Sequence, residues 1–515
     1  MLERAPLAIG LVCLVLAIVA ASRRNAKQHR YPPGPPGLPI LGNLLDAPKE
    51  YSWFTFARWG REYNSNIVSF TVLGRRLVVL NKYKDAKEIF EERSRIYSDR
   101  TSAVMATELV GWHRNFGLTP YGELWRLRRR MFHQHFKPQV LPAYHGKLMK
   151  GARSLTQMLL ESPDGFLKHF RRVPGTTVLD VVYAMDLDPR DNATMEPIEK
   201  AVKTFADLAD AGAFLVDLIP ILKYLPSWLP GVGFKRQGAV WGRWVSRMHE
   251  DPYQEVKSDV MSGKSRPCVA SDLIREFEDR LNDNSVEDST VEEDIICVTG
   301  TAYTGSDTTT FALANFVLAM LLFPEVQQRA QEELDRVVGR DRLPDIADQD
   351  SLPYTASIVK ELLRWRPIGP VAVPHRSTAD DWYEGYFIPE GSLVIGNVWA
   401  ILHDEERYPD PEAFKPERFL TAEGTLDPSV PDPSQAFGFG RRICPGRYFA
   451  QIALFLYISH MLAAFSIEKP VDEMGNVVEP TRECEARKFW HPKPFKVKFK
   501  PRLEGLESMT RTPGS

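Results

Sequence analysis

Residues 437–446 read Phe-Gly-Phe-Gly-Arg-Arg-Ile-Cys-Pro-Gly and set Cys444 alone between glycines and arginines. The other cysteines, Cys13, Cys268, Cys297 and Cys484, are scattered, and no second cysteine or histidine stands at metal-ligand spacing. Zinc and iron–sulfur sites need several such ligands. A lone thiolate can instead be the one protein ligand of a haem iron. A cysteinate needs amide donors and cations nearby to stay ionised. Gly438, Gly440 and Gly446 leave the backbone uncovered, so amides can face the sulfur and a flat macrocycle can approach closely. Pro445 suits the first turn of a helix continuing through 447–454. The thiolate then sits at a helix N-terminus, where the dipole favours an anion. Arg442 is placed to meet a negative group such as a porphyrin propionate. The competing reading is a buried structural cysteine beside a glycine turn.

Three further patterns bear on that choice. In Lys360-Glu361-Leu362-Leu363-Arg364, Glu361 and Arg364 share one helix face and alone make an ordinary surface pair. A helix over 292–322 follows Ser289-Thr290, with Glu292 and Glu293 completing a capping-box signature and Pro324 marking its end. At the usual rise it is about 50 Å long. Its middle, Thr304-Gly305-Ser306-Asp307-Thr308-Thr309-Thr310, is made of poor helix formers. Such local conflict marks a functional site, or a kink where threonine hydroxyls bond back to carbonyls. In Trp125-Arg126-Leu127-Arg128-Arg129-Arg130, Trp125 and Arg129 share a helix face, and both can donate to a propionate. For Arg126, Arg128 and Arg130, a plain basic helix stands beside a role in steering a partner.

Together these runs resemble the cytochrome P450 haem-thiolate monooxygenases; the N-terminal segment resembles that of their endoplasmic-reticulum members, and Trp399-Ala400-Ile401-Leu402-His403-Asp404 with His491-Pro492-Lys493-Pro494-Phe495 looks like fungal members that tailor natural products. Phe437, Gly440, Arg442, Cys444, Gly446 and Ala450 occupy that family's cysteine-loop positions, and the resemblance spans nearly the whole chain. It implies a mainly α fold with small β-sheets (α+β) and a long central helix over the haem. It implies heme b with Cys444 as axial thiolate and metal ligand, framed by Phe437 and Gly438. Trp125, Arg129, His375, Arg442 and Arg100 are implied to hold the cofactor, although a lone histidine such as His375 is more often structural. Gly305 matches the oxygen groove, Thr308 the residue offering a hydroxyl to dioxygen, and Asp307 its helper in relaying protons. Thr304 departs from the alanine or glycine more usual there. Arg418, in Pro416-Glu417-Arg418-Phe419, is implied to join Glu361 and Arg364 in a buried structural network.

The rest of the chain fits an enzyme of this kind. Its 515 residues, 43% hydrophobic, can bury a large core, and no linker interrupts them after Pro39. One catalytic haem domain is expected over 40–500, with a tail over 501–515. Residues 1–22 read as a membrane anchor, because 5–21 carry no charge and Arg23, Arg24, Lys27 and Arg30 follow directly. That charge order favours a cytosolic catalytic domain on the endoplasmic reticulum. A cleaved signal peptide is the competitor, since Ala20, Ala21 and Ser22 suit a peptidase. Residues 23–39 are a basic, proline-rich hinge. Residues 192–194 form a glycosylation sequon, idle in a cytosolic domain. A net charge of −2 gives no reason to expect nucleic acid.

Residues 67–80 alternate around Gly74-Arg75 and predict a hairpin. Gly263-Lys264-Ser265 lacks the earlier glycine of a phosphate loop, and no dinucleotide fingerprint is present. NADPH is therefore expected on a separate cytochrome P450 reductase, with cytochrome b5 as a further donor. By resemblance, a mostly apolar pocket is walled by 101–116, 205–214, 298–304, 368–373 and 486–489, and takes a lipophilic small molecule. Residues 217–222 with 228–230 either dip into a bilayer or pack as a core helix. The other functional class is a haem-thiolate isomerase, dehydratase or sensor. Asp307 and Thr308 speak against it, since such chemistry has little need of a proton relay.

Overall fold

The computed structural model describes residues 29–101, 103–208, 214–278, 286–485 and 489–511, with backbone alone over 286–289. Two compact units emerge. The smaller comprises residues up to 101, with 371–401 and 438–443, and the larger comprises 102–370, 402–437 and 444–515.

The smaller unit is built on a sheet of β1 (Ile67–Val72), β2 (Arg75–Leu80), β3 (His375–Arg376) and β6 (Leu393–Gly396), in the order β1-β2-β6-β3. The predicted hairpin is present, but its turn is Leu73-Gly74, with Val72 facing Arg75 across the ladder. Both turn residues take positive φ, 47° and 81°. That conformation matches the twist of a two-residue hairpin and favours glycine at the second place. Strand β2 runs parallel to β6, and β3 antiparallel to it. Phe56 and Trp59, from the helix Ser52–Glu62, pack with Val68, Phe70, Val79 and Ile395 to form this unit's core. A separate ladder pairs β4 (Asp381–Tyr383) with β5 (Tyr386–Ile388).

The described part of the proline-rich stretch is extended and bonded to this sheet. Ser69 donates its N–H to Pro33 O at 2.8 Å and its hydroxyl to Pro32 O at 2.7 Å. Arg76 lies over the Tyr31 ring at 3.7 Å. Residues 1–28, which include the expected anchor and Arg23, Arg24 and Lys27, lie outside the described residues.

The larger unit is helical, with one small antiparallel ladder of β7 (Phe465–Glu468) and β8 (Lys498–Pro501). Helix Ser306–Leu322 is buried at every position from Thr309 to Leu321, and helix Arg447–Ala464 at every position from Ala453 onward. Helices apolar all round belong inside a protein. Among the described residues one stretch, Thr290–Leu322, is apolar and long enough to cross a membrane; 78% of its most apolar window is buried in the protein, so it serves as core.

That stretch differs from the single helix expected over 292–322. It begins earlier, as helix Val286–Thr304, and is interrupted at Gly305 before helix Ser306–Leu322. At the break Gly305 N–H bonds to Ala302 O at 3.3 Å, a tightened turn. The Thr304 and Thr308 hydroxyls bond back to the carbonyls of Gly300 (2.9 Å) and Gly305 (2.7 Å). The threonine kink expected from the sequence is present at this break. Because the helix already runs from Val286, Ser289 and Thr290 lie inside it, and the capping box expected there does not mark its N-terminus. Around 215–230, Ile221, Tyr224 and Trp228 are at least 70% exposed, so this segment is not a core-packed helix.

Candidate active site

The cysteine loop closes by a hydrogen bond from Cys444 N–H to Phe437 O at 2.8 Å. Gly438 and Gly440 adopt positive φ, 89° and 52°. At Gly440 a Cβ would lie 2.0 Å from Phe90 O, so no side chain is accommodated there. At Gly446 it would meet nothing within 4 Å, leaving the backbone beside the sulfur open. The helix after the cysteine is Arg447–Ala464 with Gly446 at its N-cap, so Pro445 precedes the helix and does not fill its first turn. A proline two places earlier still fixes the chain's entry, and Cys444 stays at the N-terminal end where the dipole is positive.

Burial pushes the Cys444 thiol up, while the Gly446 amide, Arg129 and Arg447 pull it down toward thiolate. Arg129 carries the complementary signature. Burial lowers its pKa to about 10, partly opposed by Cys444, and Arg447 adds to the lowering. Trp125 is buried on the same helix, Glu123–Phe136. Arg447 donates to Cys444 O at 3.2 Å. Sequence reasoning passed over it, though its place three residues after the cysteine was the available signal.

The other arginines of that helix separate. Arg128, read as a surface cation, is buried and pairs with Asp294 at 2.7 Å. Position 128 lies one turn from Trp125 on the face packed against helix Val286–Thr304, so it cannot steer a partner. Arg126 is exposed and pairs with Glu123, and Arg130 is exposed.

In the smaller unit, Arg100 is buried and donates Nη1 to Val373 O (2.6 Å) and Pro374 O (2.7 Å). Its Nε is buried with no hydrogen-bond partner among the described residues. Burial and then Arg442 lower its pKa to about 9. Arg442 donates Nε to Ser98 O at 2.7 Å. His375 donates Nδ1–H to Tyr97 O at 2.6 Å, so the proton sits on Nδ1. Burial first, then Arg100, holds its pKa well below the usual histidine range.

At the helix break Gly305 is exposed while the neighbouring Thr304 and Ser306 are buried, leaving a local opening in an otherwise covered helix. Asp307 Oδ1 accepts from Arg171 Nε at 3.3 Å. Burial raises the Asp307 carboxyl and Arg171 draws it back. The sequence reading missed Arg171, which stands 136 positions away with no local signal.

The Glu361 network is assembled in full. Arg364 Nε and Nη2 grip the two carboxylate oxygens at 2.7 and 2.8 Å, and both side chains are fully buried. Arg418 Nε reaches Glu361 at 3.1 Å, and Lys415 N–H at 2.8 Å. The remaining Arg364 donors go to Leu402 O and Ala413 O, each at 3.1 Å.

The larger unit holds a thiol with an amide and two cations beside it, a set that suits an anionic sulfur ligand. In the smaller, burial disfavours the positive charge of Arg100, whose Nε has no partner among the described residues, and a carboxylate would relieve both costs. A helical fold with such a thiolate defines the haem-thiolate class.

Comparison with known proteins narrows the class. The family model for cytochrome P450 matches residues 32–499. The chain is 40% identical over 506 residues to a cytochrome P450 monooxygenase, ple1, of Rhodocybe pseudopiperita, covering 96% of each chain. It is 39% identical to the tryptamine 4-monooxygenase of Psilocybe cyanescens, covering 96% of this chain and 98% of that one. To the monooxygenase claR of Ampulloclitocybe clavipes it is 37% identical, covering 98% and 92%. The chain belongs to the cytochrome P450 family and is a haem-dependent monooxygenase. The isomerase, dehydratase and sensor readings give way to that assignment.

Proposed function

We propose that the enzyme inserts one atom of dioxygen into a lipophilic small molecule, by hydroxylation or epoxidation, in fungal secondary metabolism. Electrons come from NADPH through a cytochrome P450 reductase, with cytochrome b5 as an accessory donor. One fungal relative is named for tryptamine, which supports placing indole-type rings among the first candidates. When bound, haem b supplies the site for reductive activation of dioxygen, and a thiolate ligand pushes electron density toward O–O cleavage.

Each chain residue has a stated part. Cys444 would hold the haem iron through its thiolate, and the Gly446 amide, Arg129 and Arg447 favour that form against burial, which raises the thiol. Phe437 and Gly438 frame its loop. Trp125 and Arg129, with Arg100, His375 and Arg442, would hold the propionates of the haem. Nδ1 of His375 is already committed to Tyr97 O, so its contribution is a proton on Nε2, gained when an anion arrives. Gly305 leaves the groove open, Thr308 Oγ1 holds a donated proton, and Asp307 carries protons to it. Glu361, Arg364 and Arg418 hold the fold and touch no reactant. Residues 1–22 anchor the chain in the endoplasmic reticulum membrane, and the exposed Ile221, Tyr224 and Trp228 rest against the bilayer.

The observation that carries this reading is the cysteine loop with its surrounding amide and cations. The reduced protein with carbon monoxide is expected to show the red-shifted Soret band of thiolate ligation, and Cys444→Ala to abolish it. A band retained in the variant would sink the ligand assignment. Type I spectral shifts across terpenoid, polyketide and indole compounds would then identify the substrate class.

A further inference from the structure

In the smaller unit, residues 96–99 spend four successive carbonyls. Ile96 O and Asp99 O accept from the backbone N–H groups of Thr378 (3.0 Å) and Arg376 (2.9 Å). The two between them face side chains: Tyr97 O accepts from His375 Nδ1 at 2.6 Å, and Ser98 O from Arg442 Nε at 2.7 Å. Arg100, next in the chain, reaches back to the carbonyls of Val373 and Pro374. One short stretch therefore orients Arg100, His375 and Arg442 together, all within this unit.

Tyr97 fixes that stretch from its other side. Its side chain is fully buried, and its hydroxyl donates to Asp381 Oδ2 at 2.9 Å. Asp381 opens strand β4 and is gripped by Arg93, whose Nη1 reaches both carboxylate oxygens (3.0 and 2.9 Å) and Trp382 O (2.8 Å). Arg93 Nε is held in turn by Glu88 at 2.9 Å. A buried hydroxyl needs a partner, and a carboxylate already clamped by a guanidinium fixes it in one place. The far end of the tyrosine is thus locked to a strand while its own carbonyl locks an imidazole.

We propose that Tyr97 is a positioning residue for the cofactor: anchored through Asp381 and Arg93, it holds the 96–99 stretch so that His375 and Arg442 present their remaining nitrogens to the haem propionates. This rests on the propionate role given to those two residues above. The tyrosine touches no ligand itself. It acts as outer supports of ligand-holding groups do, by limiting the orientations those groups can take. Releasing the hydroxyl leaves every cation in the chain but loosens its aim. Propionate charge is then less compensated, which favours the ferric over the ferrous state, and the haem is released faster.

The measurement is haem transfer from the loaded protein to excess apomyoglobin, with the ferric–ferrous midpoint potential followed alongside, in the parent, Y97F, D381N, H375A and the double variant Y97F/H375A. Y97F keeps the ring and removes only the hydroxyl; D381N keeps the size of the side chain and removes its charge. The expected result is transfer about tenfold faster in Y97F, faster also in D381N, and a midpoint moved to more negative potential in both. In the H375A background the Y97F factor should shrink, since part of its path has gone. A carbon monoxide band at the parent's position checks that each variant is folded, and Y97F stands alone if D381N is not. Parent-like haem transfer and potential in H375A overturn the propionate role of His375. Fast transfer in H375A, with Y97F and D381N at the parent's values, overturns the present proposal and leaves that role standing. An undiminished Y97F factor in the H375A background also overturns it, because the tyrosine then acts through packing alone.

Discussion

Two charged assemblies in the larger unit are built on opposite terms. Around Glu361 the carboxylate receives Arg364, Arg418 and a backbone N–H, and the leftover Arg364 donors reach carbonyls. Around Cys444 and Asp307 the charges are left in tension. The thiol is raised by burial and lowered by its neighbours, Arg129 is pushed down to about 10, and the Asp307 carboxyl is drawn both ways. A saturated buried network specifies a fold because every alternative leaves a charge unpaired. A poised one is ready to bind or exchange a proton. In this chain the degree of saturation separates the Glu361 network from the charges around Cys444 and Asp307.

The widest break in that contrast is at the network. Arg364→Ala leaves Glu361 buried with much of its pairing gone, and a loss of about 3–5 kcal/mol is expected. Thermal unfolding followed by circular dichroism should show it, together with failure to incorporate haem; a variant melting with the parent would mean the network is ornamental. Arg128→Leu is next, because Asp294 is left buried opposite an alkyl chain, and about 2–3 kcal/mol should be lost. Arg126→Ala, on the exposed side of the same helix, should leave the melting temperature where it was; equal effects at the two positions would contradict the burial difference. Thr308→Ala reverses the pattern. Its melting temperature should hold while product formed per NADPH falls by about tenfold and peroxide appears. Fully coupled turnover in that variant would remove Thr308 from the poised group.

What could be read from the chain alone follows a similar division. Local signals were legible: the glycines around Cys444, the Glu361–Arg364 spacing and the threonine-rich interruption all depend on neighbours within a few residues. Errors arose where neighbours decide by contact. The turn residues Leu73 and Gly74 were placed one position late because alternation does not show where the ladder ends. Arg128 was taken for a surface cation because a run of arginines hides which one faces a partner helix. Arg171 gave no signal, since its meaning comes from Asp307, far along the chain.

The stapling of Tyr31 to Gly34 along β1 bears on how the protein can be shortened. A Cβ at Gly34 would sit 1.9 Å from Ser69 O, so this segment lies as closely on the strand as another strand would. Trimming to begin at residue 29 keeps that cover. Trimming after Gly37 strips it, and the Ser69 N–H and hydroxyl lose their acceptors at an edge then free to pair with a second molecule. The soluble form to seek is therefore the longer one, and the shorter should be recognised by self-association on size-exclusion chromatography.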